Sequence, residues 1–299
     1  MGGVKILLLG GNGQLGTDLR SALRGHTVLA TARVPAPDSG LRALDIEDTR
    51  GCAALIAEFG PDLVLNTTAF HRVDDIERDA SMALRINAAA AQQLALACRA
   101  ADCAFLHVST DYVFDGVKGA PYLETDVPNP LSAYGASKLV GEQLIRIAWP
   151  KHYIVRSCGL YGLAGASGKG GNFVNTMLRL AREGKPIRVV GDQICTPTAT
   201  ADLARQIARL IETGVYGTYH ATSAGGCAWS EFATEIFTLA AARGLIAAAP
   251  PVTAISSATF GAPARRPPYS VLENRGLAEL GIDILRPWQE ALTDYIAAL

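Results

Sequence analysis

The chain has 299 residues, 49% of them hydrophobic and 18% charged, with a formal net charge of -1 at pH 7. That length buries one large core, or one core with a smaller lobe. The near-neutral balance excludes the polybasic surface that nucleic acid or an anionic membrane requires, and no apolar run reaches the length of a membrane span. Cysteines stand at 52, 98, 103, 158, 195 and 227, none in a Cys-x-x-Cys pair. They fit reduced structural thiols, and with a strand beginning almost at the amino terminus and no leader before it, the expected setting is cytoplasmic.

Residues 4–9 form an apolar run that predicts a buried parallel strand. It enters Gly10-Gly11-Asn12-Gly13-Gln14-Leu15-Gly16, and a helical pattern follows with Leu15, Leu19, Ala22 and Leu23 on one side. Strand, glycine turn and helix in this order form the context of a dinucleotide site. Gly10 permits the tight turn, Gly13 lets the backbone approach a pyrophosphate at the positive helix end, and Gly16 lets helix and strand pack closely. A second strand, 27–32, ends at Arg33. An NAD site places a carboxylate here on the ribose hydroxyls; a guanidinium suits a 2′-phosphate instead, so NADPH is expected, with NADH as the alternative cofactor and a solvated loop arginine as the bland reading. Asp45 and Ile46 follow a third strand, 41–44, where Asp45 can accept from the adenine amino group and Ile46 pack on the ring. After a helix at 49–58, a fourth strand, 63–65, ends in Asn66-Thr67-Thr68-Ala69, small residues against which a cofactor can lie. A polar turn at 70–74 leads to one long helix from about 80 to 101. Asn87 within it either faces solvent or holds a kink.

A fifth strand, 104–108, ends in Ser109-Thr110-Asp111-Tyr112. The Thr110 hydroxyl either donates to a substrate carbonyl in the crevice or caps the strand. An irregular loop, 117–131, carries Pro121, Pro128 and Pro130 over that crevice. The next helix opens near Tyr134 and runs to about 147. Tyr134 and Lys138 lie one turn apart on one face, about 6 Å along the axis. A phenol beside an ammonium is a general acid whose charged form is stabilised. The spacing alone also arises on solvated helix faces; the glycine turn upstream and Thr110 on the neighbouring strand end select the catalytic reading.

A sixth strand, 153–157, precedes a glycine-rich loop, 159–171, that includes Lys169. Then come a helix at 172–183, a strand at 187–190, and a helix at 198–212 with Thr198 or Thr200 as its cap. A strand returns at 217–221, Ser230 heads a further helix with Glu231 near its start, 250–268 reads as a Pro- and Ala-rich crossing loop, and short helices close the chain at 274–280 and 287–298. The fold class is α/β: a doubly wound parallel sheet of the Rossmann type over 1–158, with returning elements near 187–221, and a smaller α/β substrate-binding lobe mainly over 159–299.

The glycine turn, Thr110 and Tyr134 with Lys138, in this order, resemble the extended short-chain dehydrogenase/reductase superfamily. More narrowly, those parts with 109–116, Asn172-Phe173, Asp192-Gln193, Pro197-Thr198 and Arg265-Arg266-Pro267 are similar to the dTDP-4-dehydrorhamnose reductase family, across nearly the whole chain. The resemblance implies an NADPH-dependent oxidoreductase that reduces the 4-keto group of dTDP-4-dehydro-L-rhamnose to dTDP-L-rhamnose in nucleotide-sugar and cell-surface polysaccharide biosynthesis. It implies Tyr134 as general acid, Thr110 as a second donor to the carbonyl oxygen, and Lys138 as the residue that holds the nicotinamide ribose and lowers the phenol's pKa. Cofactor contacts map onto Asn12, Gly13, Gln14, Leu15, Asp45, Ile46, Thr68, Ala69 and His71, the last where a Thr is usual. Asp111 and Tyr112 would border the sugar, Asn172 and Phe173 approach the nucleotide, and Arg265 meet the diphosphate. A homodimer is the family's habit. No acidic cluster matches the magnesium site of some members, so no essential metal is expected. Gly159 stands where members carry a Trp that packs on the sugar, so that aromatic platform is expected to be missing and the sugar is left open. Two alternatives follow: another nucleotide-sugar 4-ketoreductase or epimerase, and a non-catalytic regulatory subunit of the methionine adenosyltransferase type.

Overall fold

The computed structural model describes residues 3–164 and 171–299; residues 165–170 of the glycine-rich loop, Lys169 among them, lie outside these. Strand β1 (Lys5–Leu9) is apolar from Ile6 to Leu9, and those four side chains are fully buried. Such a run belongs in a parallel sheet covered on both faces. The first half alternates: α1 (Gln14–Ala22), β2 (Thr27–Ala32), β3 (Arg42–Ala43), α2 (Thr49–Phe59), β4 (Leu63–Asn66), α3 (Val73–Arg78), α4 (Ser81–Ala83), α5 (Ala91–Ala100), β5 (Ala104–Thr110), α6 (Ala133–Ala148), β6 (His152–Ser157) and β7 (Leu160–Tyr161). The second half follows with α7 (Phe173–Arg182), β8 (Ile187–Val190), β9 (Ile194–Cys195), β10 (Thr198–Ala199), α8 (Thr200–Glu212), β11 (Gly217–His220), β12 (Cys227–Ala228), α9 (Trp229–Ala242), β13 (Val252–Ile255), α10 (Ser257–Phe260), α11 (Arg275–Glu279) and α12 (Trp288–Ala297).

Among the described residues seven strands form one sheet in the order β11-β6-β5-β4-β1-β2-β3, every pair parallel. The order reverses at β1, which opens a crevice outside the carboxyl ends of β1 and β4, where ligands of doubly wound sheets bind. Leu15 and Leu19 of α1 pack with Leu203 and Ile207 of α8 on one face. Leu55 and Ile56 of α2, Leu94 of α5 and Ile145 of α6 cover the other. A separate core joins α7, α9 and α12 around Val174, Phe232, Phe237 and Leu292. Within 187–221 the elements divide: β11 is an edge strand of the main sheet and α8 packs on its face, whereas β8 pairs with β13 outside it.

Three expectations are corrected. The single helix over 80–101 is instead α4, a π-helical stretch at Leu84–Ala90, and α5. Asn87 sits in that stretch, fully buried, with Oδ1 accepting from Phe70 N at 2.8 Å and Nδ2 donating to Phe70 O at 2.9 Å and Ser137 Oγ at 3.0 Å. A buried amide satisfied this fully holds the irregular turn, the commoner setting of π-bulges being a functional site. Neither Thr198 nor Thr200 caps α8: Ala199 stands at the N-cap position with no side-chain cap, the Thr198 hydroxyl donates to Thr196 O and accepts from Ser223 N, and that of Thr200 donates to Asp18 Oδ2. The crossing loop over 250–268 contains β13 and α10, since Pro250 and Pro251 precede the strand and leave its own N–H groups free to pair.

Helix α6 approaches the π-helical stretch through Gly141, where a Cβ would lie 2.1 Å from Asn87 O. Gly141→Ala is therefore expected to separate the two and cost about 1–3 kcal/mol of stability; urea unfolding should show a lower midpoint at unchanged slope.

Candidate active site

The first wall of the crevice is the glycine turn. Gly10 and Gly11 both donate to Thr31 O, at 3.1 and 2.7 Å, and Gly10 adopts a left-handed φ of 87°. A Cβ on Gly16 would lie 2.0 Å from Gly10 O, so only glycine lets α1 start this close to β1. Gly13 precedes α1 with no side chain capping the helix, which leaves its first N–H groups for an anion. This is a cradle for a pyrophosphate, and the residues fit the dinucleotide that the sequence implies. Asn12, Gln14 and Leu15 line the same cleft of about 990 Å³, as do Asp45, Ile46, Thr68, Ala69 and His71; Arg33 stands exposed at its mouth.

The opposite wall comes from the ends of β5 and β6 and the start of α6. Ser132 caps α6 by accepting from Gly135 N, so Tyr134 and Lys138 fall in its first two turns and both line the cleft with Thr110, Asp111 and Tyr112. Thr110 ends β5 and its hydroxyl caps the strand end: Oγ1 donates to Asp111 Oδ1 at 3.0 Å and accepts from Tyr112 N at 3.1 Å. The rings of Tyr112 and Tyr134 meet edge to face, centroids 5.8 Å apart. Burial pushes the Tyr134 phenol above its usual range, Asp111 adds to this, and a hydrogen bond with Thr110 opposes it. Lys138 lines the same cleft: its Nζ is bonded to His107 Nε2 at 2.8 Å and Val108 O at 2.7 Å, and burial pushes the amine down to about 7, against the nearby charge of Glu142. Tyr134 accordingly carries its proton at neutral pH.

Three groups here were not singled out from the sequence. His107 lies fully buried in the middle of β5, between Lys138 and Asn66. Glu142, four residues past Lys138, is fully buried and accepts from Arg156 Nη2 at 2.7 Å, Arg156 Nε at 2.9 Å and Ser109 Oγ at 2.6 Å. Cys158 donates to Asp111 Oδ2 at 3.0 Å. The available signal was a His within the apolar run Ala104–Thr110 and a charge on the inward face of α6, since polar groups there must find partners.

The second lobe supplies the far wall. Asn172 caps α7 and its Nδ2 donates to Gln14 Oε1 at 3.1 Å and Gly162 O at 2.9 Å, joining the lobe to the glycine turn. Phe173 lines the cleft with Trp229, centroids 4.7 Å apart. Gly159 has a left-handed φ of 55°, and a Cβ there would lie 3.4 Å from Trp229 Cη2. Gly159 itself brings no aromatic ring, and the indole of Trp229 at the start of α9 lines the cleft beside it. Arg265 is not brought to the site: it is exposed and does not line the cleft, while its neighbour Arg266 pairs with Asp74 at 3.0 Å.

A Rossmann sheet with a glycine turn facing Thr110, Tyr134 and Lys138 defines a dinucleotide-dependent enzyme of the short-chain dehydrogenase/reductase kind. Within it the chain belongs to the dTDP-4-dehydrorhamnose reductase family: the family model described as RmlD substrate binding domain matches residues 4–299. It is 38% identical over 301 residues to a dTDP-4-dehydrorhamnose reductase of Streptomyces griseus, covering 98% of this chain and 93% of that protein. It is 37% identical over 290 residues to a dTDP-4-keto-6-deoxy-D-glucose reductase of Streptomyces niveus, covering 96% and 94%. The crystal structure of dTDP-4-dehydrorhamnose reductase from Bacillus anthracis in complex with NADP superposes with a TM-score of 0.90 at 34% identity, covering 99% of this chain and 100% of that one.

The Glu142 carboxyl is pushed up by burial, yet Arg156, Ser109 and Arg146 together hold it below the ordinary value of 4.5. A carboxylate with a depressed folded value contributes stability that is complete above its unfolded value and is lost as pH falls through the folded one. Glu142→Gln should therefore cost about 3–5 kcal/mol at neutral pH by leaving Arg156 unpaired, and the deficit against the parent should shrink below pH 4.5; urea unfolding across pH checks both.

Proposed function

We propose that this chain reduces the 4-keto group of a dTDP-linked 4-dehydro-6-deoxyhexose with NADPH, giving dTDP-L-rhamnose, and that it works as a cytoplasmic homodimer. The observation that carries the reading is the convergence of Thr110, Tyr134 and Lys138 on the cleft lined by the glycine turn, in a chain of this family. When bound, the cofactor supplies the hydride that adds to C4. Negative charge then develops on the former carbonyl oxygen. Tyr134 gives that oxygen its Oη proton, which burial has kept on the phenol. Thr110 offers a second hydrogen bond to the same oxygen by turning its one O–H away from Asp111 Oδ1, to which it donates in the free chain. Lys138 holds the nicotinamide ribose; the positive end of α1 and the Gly13 backbone receive the pyrophosphate. Arg33 meets the 2′-phosphate, Asp45 and Ile46 the adenine, and Thr68, Ala69 and His71 flank the nicotinamide half. Asp111, Tyr112, Phe173 and Trp229 enclose the nucleotide sugar, and Asn172 fixes the wall that carries Phe173.

A second reading, a 4-ketoreductase acting on another deoxysugar, is favoured by one observation: the aromatic surface beside Gly159 comes from Trp229, so the sugar meets an indole set differently. Incubation with dTDP-4-keto-6-deoxy-D-glucose and NADPH, with and without a 3,5-epimerase, separates the two. dTDP-L-rhamnose formed only with the epimerase supports the first; a 6-deoxyhexose product formed without it supports the second; no NADPH oxidation in either would exclude both and favour a regulatory role.

Tyr134→Phe should lower kcat by roughly 10²-fold or more, the scale of a lost general acid, with KM for NADPH little changed. Arg33→Ala should lower kcat/KM for NADPH by roughly 10–100-fold, the value of a charge-assisted hydrogen bond, while leaving that for NADH nearly unchanged; equal losses with both cofactors would remove Arg33 from 2′-phosphate recognition.

A further inference from the structure

The hydrogen bonds around Lys138 fix more than its position. Lys138 is 1% exposed, and Nζ has two polar neighbours, Val108 O at 2.7 Å and His107 Nε2 at 2.8 Å. On the other side of the imidazole, Asn66 Nδ2 lies 3.1 Å from His107 Nδ1. The Asn66 amide cannot be reversed. Its Oδ1 accepts from Thr68 N at 3.0 Å and Thr68 Oγ1 at 2.6 Å, and exchanging the two amide atoms would set an NH₂ against the Thr68 backbone N–H. Asn66 therefore donates to Nδ1, which carries a lone pair. A neutral imidazole has one N–H, and it is then on Nε2, facing Lys138.

We infer that His107 is a positioning residue that stores Lys138 as an uncharged amine until the cofactor binds: His107 Nε2–H donates to the Nζ lone pair, and Nζ donates to Val108 O. The other assignments fail on donors. An ammonium would put N–H against N–H across 2.8 Å. An imidazolium would put N–H against the Asn66 amide and place a charge at a fully buried ring. The groups facing Lys138 agree. On its own helix are Tyr134 and Glu142, and Glu142 is already engaged by Arg156 of β6 and by Arg146. From the end of β5 comes Asp111, held by Thr110 and Cys158. Asn66 of β4 and Asn87 of the π-helical stretch are neutral. Burial drives both groups the same way, the Lys138 amine down to about 7 and the His107 ring well below the usual imidazole range.

The consequence rests on the cofactor assigned above. A bound nicotinamide nucleotide brings ribose hydroxyls and phosphate charge, which favour the ammonium. A proton from solvent then takes the Nζ lone pair, the Nε2–H bond to Nζ breaks, and the charge that assists Tyr134 is present only in the complex. Cofactor binding is thereby coupled to uptake of one proton.

Two measurements test this. Long-range ¹H–¹⁵N spectra of the full labelled chain without cofactor, with the His107 ring assigned through His107→Gln, should show the Nε2–H tautomer; an Nδ1–H or doubly protonated ring overturns the inference. Calorimetric titration with NADP⁺ near pH 8, in two buffers of different ionisation enthalpy, should show uptake of about one proton per chain that disappears in Lys138→Met. A buffer-independent enthalpy in the parent overturns the coupling. Absence of NADP⁺ binding would instead overturn the cofactor assignment, and the tautomer would still decide the state of the stored amine.

Discussion

The buried pair of Glu142 and Arg156 decides where α6 lies, and the reactive groups ride on that helix. Tyr134, Lys138 and Glu142 recur every fourth residue and so share one face, which is turned toward the sheet. A carboxylate and a guanidinium removed from water each lose several kcal/mol of hydration, and only close geometry with full hydrogen bonding offsets this. Here Arg156 reaches both carboxylate oxygens, and Ser109 takes a further position on one of them. Sliding α6 by one residue would break all three contacts at once. The pair therefore works as a register lock: it fixes helix to strand end, and so fixes Tyr134 against Thr110.

Close approach on the other side of α6 depends on absent atoms. Gly135 and Gly141 would each place a Cβ about 2 Å from a carbonyl, that of Tyr112 and of Asn87 respectively. The π-helical stretch exists where Asn87 turns inward to Phe70 and Ser137. The segment after β4, which carries the expected cofactor contacts Thr68 to His71, is thus tied by one amide to the helix that carries Tyr134. The two halves of the site cannot shift independently.

What the sequence revealed, and what it hid, divides along the range of the interaction. The glycine turn and the Tyr134–Lys138 pair are local patterns whose geometry follows from strand and helix periods, so their spacing is readable. His107, Asn87 and Glu142 are legible only together with partners 41, 50 and 14 residues away. Adjacent Arg265 and Arg266 illustrate the limit: composition suits both to a diphosphate, but one ion pair to Asp74, nearly two hundred residues distant, draws in Arg266. Proline counting misread 250–268 for a related reason. The residues Val252–Ile255 are a four-residue strand whose pairing with β8 no local signal announces.

At Gly159 the aromatic lining of the cleft comes from the second lobe and not from the chain after β6. A glycine after β6 would leave a gap in the cleft wall if its surroundings supplied no side chain in its place. The left-handed φ at 159 makes a return of any larger residue strained, and the indole of Trp229 already lies against the place where its Cβ would go. Trp229 is in turn held by Phe173 and Phe232, which belong to the core of the second lobe. The aromatic wall of the cleft beside Gly159 is therefore set by the packing of α7 against α9, not by the end of a strand of the Rossmann sheet. The walls of the cleft are thus carried by different cores, and Asn172, bonded to Gln14 of the glycine turn, is a point at which the two are fastened together.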